Sequence, residues 1–191
     1  MINETGIAIK VTNLSKIYPI YDKPIDMVKE MFTGKKKHKE YHALQNISFE
    51  LKKGEVVGFL GRNGAGKTTT MNIITGYISS SEGSASVDGH DILVEPIAVK
   101  KKIGYLPEQP PVYMDMVVDE YLNFCCDIKK VGKDKRKGHL NDVCDLVGIS
   151  HMRKRLCKNL SKGYKQRVGL AQALVGNPEV DFVNTFVDSG I

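Results

Sequence analysis

The residues with the clearest chemistry are Gly61-Arg62-Asn63-Gly64-Ala65-Gly66-Lys67-Thr68. A chain of phosphates needs backbone N–H groups turned inward around it, and only a loop free of bulky side chains wraps that tightly. Gly61, Gly64 and Gly66 meet that need. Lys67 sets an ammonium against the outer phosphates, and Thr68 offers a hydroxyl to magnesium. The spacing is that of the phosphate cradle G-x-x-x-x-G-K-[ST]. Background residue frequencies give this pattern by chance in about one chain in a hundred of this length. The alternative, a glycine-rich turn with an incidental lysine, fits the flanks poorly. A short apolar run precedes the loop and helical spacing follows it, so a helix N-terminus adds its positive end to the same anion.

A second candidate lies at Asn159-Leu160-Ser161-Lys162-Gly163-Tyr164-Lys165-Gln166-Arg167, ahead of Val168, Ala171, Leu174 and Val175. Ser161 is a good N-cap, and Gly163 allows close approach to the backbone. On its own this is an ordinary capped helix.

The elements that must hold these residues follow from periodicity. Alternation at Ile7, Ile9 and Val11, and again at Ile47, Phe49 and Leu51, predicts two strands, the second ending at the turn Lys53-Gly54. Glu55-Val56-Val57-Gly58-Phe59-Leu60 is nearly continuous in apolar residues and predicts a strand buried on both faces. Met71, Ile74 and Ile78 recur at helical spacing after the cradle. Asp88-Gly89 marks a hairpin, and Ile103 to Leu106 a strand ended by Pro107. Residues 117–147 are mostly helical, with Leu140, Val143, Cys144 and Val147 as a core-facing stripe. Between the first two strands, residues 24–32 predict a short helix, followed by Lys35, Lys36, Lys37, His38 and Lys39. Such a charge run is ordinarily a solvated loop; its sharper reading is contact with anionic lipid.

With 191 residues, 41% hydrophobic and 26% charged, the chain reads as one soluble globular domain. No stretch approaches a membrane span, and the first residues lack a basic-then-apolar leader, so a cytosolic location is expected. Cys125, Cys126, Cys144 and Cys157 fit neither a zinc knuckle nor a redox pair and are expected to be reduced and apolar in role. The net charge of +6 is compatible with an acidic partner but unremarkable, and no nucleic acid is expected.

Taken together, the two motifs, in this order and at this separation, resemble those of ABC transporter ATPases over about residues 5–180. Residues 61–69, through Thr69, resemble the family's P-loop, and Leu160 to Tyr164 with Gln166-Arg167 its signature motif. The resemblance implies an α/β P-loop NTPase core with an antiparallel β subdomain and a helical signature subdomain. The expected division is an ATP-binding core over 5–112 with an insertion at 19–42, a helical subdomain over 113–176 and an aberrant tail at 181–191. It implies ATP and Mg2+ as cofactors, with Gly61, Arg62, Asn63, Gly64, Ala65, Gly66, Lys67, Thr68 and Thr69 around the phosphates. Tyr18 is similar to the residue that stacks on adenine. Tyr105-Leu106-Pro107-Glu108-Gln109 resembles the loop whose glutamine touches magnesium and the attacking water; Glu108 and Gln109 both remain candidates for that place. Ser161, Gly163 and Gln166 would act on the nucleotide of a second ABC ATPase domain, in a homo- or heterodimer. A membrane permease subunit is the other implied partner, which puts the chain on the cytoplasmic face of the membrane. Residues 18–42 resemble ATPases of polysaccharide and teichoic-acid exporters, and the chain from Thr69 onward those of ABC-2-type exporters. Two competing classes are weaker. A soluble ABC-type ATPase acting on ribosomes or DNA would carry tandem halves or coiled-coil inserts. A P-loop kinase or GTPase would lack the signature.

After Val180 the family pattern continues with an apolar strand ending in Asp-Glu-Pro, whereas this sequence reads Asp181-Phe182-Val183-Asn184-Thr185-Phe186-Val187-Asp188-Ser189-Gly190-Ile191. Serine after Asp188 is no general base at neutral pH. A reading frame shifted near codon 181, or a partial gene, is the expectation, together with marginal stability and ATP binding without appreciable turnover.

Overall fold

A computed structural model describes residues 6–107 and 109–183, in two compact units, Met1–Pro96 and Ile97–Ile191. The first unit contains β1 (Ile7–Ile20), α1 (Pro24–Thr33), β2 (Lys39–Lys52), α2 (Lys67–Ile74), β3 (Glu82–Val87) and β4 (His90–Asp91). The strands form one antiparallel sheet in the order β2-β1-β3-β4. Ile9, Val11 and Leu14 of β1 are buried, as are Ala85 and Val87 of β3. Asp88 and Gly89 both take positive φ (49° and 82°), the backbone that closes the β3–β4 hairpin.

The first two strands are longer than their alternating cores suggest. Pairing runs from Ile7↔Lys52 to Ile20↔Lys39, so β1 and β2 extend into the 19–42 insertion, and α1 stands at the tip of their hairpin. β3 pairs with β1 only as far as Ser15, so Pro19 lies on an edge, where its missing N–H costs no ladder bond.

Two expectations need correcting here. Residues 55–60 form no strand, and Val56 and Leu60 are 100% and 92% exposed. A strand apolar on both sides needs a ladder on each edge, and among the described residues no strand pairs with this segment. Only Phe59 finds an aromatic partner, Phe49, edge to face at 5.7 Å. The helix after the cradle also ends earlier than its spacing implies. Ile73 and Ile74 are fully buried, but Thr75 is the C-cap, so Ile78 lies outside the helix.

The second unit contains α3 (Pro96–Lys102), β5 (Ile103–Leu106), α4 (Val118–Ile128), α5 (Lys133–Leu146), α6 (Lys162–Leu174) and β6 (Val180–Val183). Its core joins Val118, Leu122 and Cys126 of α4 to Leu140, Val143 and Cys144 of α5 and to Val168 and Ala171 of α6. The stripe expected on α5 therefore faces inward as expected. All four cysteines are free and buried; burial pushes the Cys125 thiol up to about 11, which keeps it protonated and unreactive. β5 and β6 pair in parallel, Ile103↔Val180 through Leu106↔Val183, with Phe182 buried. The expected departure after Val180 thus does not interrupt the strand, which runs on through Val183. Residues 184–191, including Asp188, lie outside the described residues.

Candidate functional site: a phosphate cradle and a capped helix

In the first unit the glycine loop leads directly into α2. Gly66 is the N-cap in a left-handed conformation (φ 84°, ψ 2°) and supplies no capping side chain. The orphan amides of a helix start must find other partners. Among the described residues, no acceptor takes the amides of Asn63, Gly64, Gly66, Lys67 or Thr68; Ala65 alone donates, to the Arg62 carbonyl at 3.1 Å. Gly61 and Gly64 also take positive φ, 154° and 86°. Lys67 Nζ closes over the loop, donating to the Gly61 carbonyl at 2.5 Å and the Arg62 carbonyl at 3.0 Å. One end of the site is therefore a row of unclaimed N–H donors with an ammonium beside it. Carbonyl oxygens are weaker partners for that ammonium than a phosphate. The Thr68 side chain is exposed and makes no hydrogen bond among the described residues, whereas Thr70 Oγ1 is spent on the Gly66 carbonyl at 2.9 Å. These residues fit a polyphosphate with a divalent cation: the donors suit the anion and the Thr68 hydroxyl suits the metal.

What backs the loop is not visible in the motif. A Cβ on Gly66 would sit 2.9 Å from Leu44 Cδ1 and 3.0 Å from the Ala43 carbonyl, so β2 fixes the position of the α2 N-terminus. No pattern around Ala43 or Leu44 signals this. Tyr18, in β1 opposite Tyr41, is 37% exposed, with Lys16 Nζ 5.0 Å from its ring centre.

In the second unit Ser161 caps α6, its Oγ accepting from the Tyr164 amide at 3.4 Å. Ser161, Gly163 and Gln166 are exposed, and a Cβ at Gly163 would meet nothing within 4 Å. Tyr164 anchors the helix start: its hydroxyl lies 3.2 Å from His151 Nε2, and Arg167 lies 5.7 Å from its ring centre. Arg167 also donates to the Val147 carbonyl at the end of α5. The first turn of α6 is thus held from behind and open in front. Gln109 is an exposed bend residue just past β5, and Glu108 lies outside the described residues. The chain beyond Gln109 is pinned by Tyr121, whose hydroxyl donates to Gln172 Oε1 and lies 3.3 Å from the Pro111 carbonyl. Sequence periodicity marks Tyr121 only as part of an apolar helix, not as this anchor.

Comparison with known proteins bears on both motifs. The family model described as ABC transporter matches residues 44–183. An uncharacterized ABC transporter ATP-binding protein of Synechocystis is 36% identical over 157 residues, 80% of this chain and 43% of that protein. The bacitracin transport ATP-binding protein BcrA of Bacillus licheniformis is 34% identical over 138 residues, 72% of this chain and 44% of that protein. The chain thus spans less than half the length of these relatives. Among solved structures, an ATP-binding subunit of an ABC transporter superposes with TM-score 0.74 at 23% identity, covering 92% of this chain and 65% of that one. A bacterial ABC transporter cassette solved as a dimer gives 0.71 at 24%, covering 91% and 72%. These two show the shared fold. With its glycine loop at the head of α2, its capped α6 and a family match across most of its length, the chain belongs to the ABC transporter ATPase family.

Proposed function

We propose that this chain is the ATP-binding part of an ABC exporter ATPase, with the triphosphate held at the N-terminus of α2. The observation that carries this reading is the uncapped first turn of α2, with five unclaimed amides and Lys67 beside them. Residues 61–69 surround the phosphates and Tyr18 stacks on the adenine. The Thr68 hydroxyl, exposed at the start of α2, would hold the magnesium, which would neutralise phosphate charge when bound. Ser161, Gly163 and Gln166 close on the nucleotide of a second ATPase domain. Their exposure, and the dimeric state of the related cassette, support that role. ATP then bridges two surfaces, and its binding energy becomes domain closure, which a membrane permease subunit uses. The core over 5–112 and the helical part over 113–176 divide these tasks. A role in transport is supported by the similarity to the bacitracin transport ATP-binding protein. The corresponding location is cytoplasmic, peripheral on the inner face of the membrane.

Titration of the purified chain with a fluorescent ATP analogue in the presence of magnesium tests the reading. Charge-assisted contacts of this kind contribute about 1.5–3 kcal/mol, so Lys67→Ala is expected to weaken binding roughly tenfold to a hundredfold. Equal affinity of wild type and variant would remove the cradle from the argument.

Turnover is a separate matter. Where the family pattern ends its strand in an Asp-Glu pair, Val180 is followed by Asp181-Phe182-Val183-Asn184-Thr185-Phe186-Val187-Asp188-Ser189, so steady-state phosphate release by the purified 191-residue polypeptide is expected to stay at background. Release that disappears in Lys67→Ala would show that this chain hydrolyses ATP.

A further inference from the structure

α1 is amphipathic and faces the wrong way for a helix serving a core. At ~100° per residue, Met27, Met31, Val28, Phe32 and Ile25 share an arc of roughly 160°. All five are exposed, from 49% at Val28 to 84% at Phe32, and the helix contributes no buried residue. The polar side is the one turned in. Glu30 accepts from the Lys37 amide at 2.8 Å and lies 2.8 Å from His38 Nδ1, and Asp26 is half-buried. The Lys37 amide holds the Glu30 carboxyl below its usual range, so the acid stays ionised and anchored. His38 in turn packs edge to face on Tyr21 at 5.6 Å. The hairpin of β1 and β2 therefore carries a helix whose apolar face is offered outward.

The charges around that face are basic. Residues 18–42 hold six lysines against four carboxylates. Lys36 pairs with Glu40 and Lys39 with Asp22, leaving Lys23, Lys29, Lys35 and Lys37 without an ion pair among the described residues. No carboxylate lies on the apolar arc. We propose that α1 and its flanking lysines form a docking surface for an anionic bilayer, with Ile25, Met27, Val28, Met31 and Phe32 entering the headgroup boundary and the lysines binding lipid phosphates. Ten residues are too few to span a bilayer, and no described helix is long and apolar enough to cross one; α1 lies in the interface plane. This surface is independent of the nucleotide site.

The test is co-sedimentation of the purified chain with phosphatidylcholine vesicles and with vesicles carrying about 30% phosphatidylglycerol, at low and high salt. Binding is expected only to the anionic vesicles and is expected to weaken as salt rises. Each of Lys23→Gln, Lys29→Gln and Lys35→Gln should reduce partitioning about fivefold. The pair Met31→Ser and Phe32→Ser should reduce it at least roughly tenfold, through lost apolar burial. Thermal unfolding and nucleotide affinity should not change in these variants, because α1 buries nothing. Lys67→Ala should bind vesicles as wild type does, which separates this result from the fate of the nucleotide site. Partitioning unaffected by the Met31 and Phe32 substitutions would overturn the proposal. So would failure of wild type to bind anionic vesicles while a detergent-solubilised permease subunit captures it through α1.

Discussion

Gly104→Val is expected to cost the second unit about 3 kcal/mol or more, beyond the ordinary 1–3 kcal/mol of an overpacked core. Gly104 sits mid-strand in β5, paired with Asp181. A Cβ there would lie 2.0 Å from Asp181 Oδ1, 2.5 Å from the Ala173 carbonyl and 3.0 Å from Pro178 Cγ. The Asp181 carboxylate can rotate away. The Ala173 carbonyl is backbone at the end of α6, and moving it means moving the helix that begins at Ser161. Strand and helix then separate, and the β5–β6 ladder has no third strand among the described residues to hold it. Denaturant unfolding followed by near-ultraviolet circular dichroism reads the loss. Gly138→Ala is the control. Gly138 is exposed in α5, with nothing within 4 Å of a Cβ, so alanine should stabilise by about 0.5–1 kcal/mol through helix propensity and chain entropy. If the two variants unfold alike, the tight contact at Gly104 is not what holds β5 to α6.

What the sequence disclosed depended on the range of the signal. The cradle and the α6 cap are local devices in which glycine, lysine and serine act on backbone a few residues away, so spacing alone revealed them. The α5 stripe was legible for the same reason, since a helical period is written within one element. Residues 55–60 went the other way. Their composition suits a doubly buried strand, yet strand formation depends on neighbours elsewhere in the chain, and among the described residues none flanks them. The outward apolar face of α1 was hidden in a subtler way. The pattern shows an amphipathic helix, but which side turns inward is decided by Glu30 meeting Lys37 and His38 across the hairpin. The Tyr121–Gln172 contact joins residues 51 positions apart and leaves no local trace.

Gly66→Ala is expected to raise the dissociation constant for ATP by about two orders of magnitude, although it removes no donor and no charge. Alanine at φ 84° is strained by about 1–2 kcal/mol, and its methyl also collides with Leu44 Cδ1 and the Ala43 carbonyl. The loop can relieve both only by moving away from β2, which turns the amides of residues 63–68 out of register with one another. A polyphosphate is held by several N–H groups at once, so loss of register weakens all of those bonds together. Gly64→Ala separates strain from collision. Gly64 has nearly the same φ, 86°, but nothing stands within 4 Å of its Cβ, so its variant pays the strain alone and should bind more tightly than Gly66→Ala. Leu44→Ala in the Gly66→Ala background should restore part of the affinity, because the Leu44 methyl is the flexible half of the clash while the Ala43 carbonyl remains. A double-mutant cycle on ATP affinity measures that recovery. No coupling between positions 44 and 66 would mean that β2 does not set the height of the cradle, and the geometric basis for placing the phosphates there would fail with it.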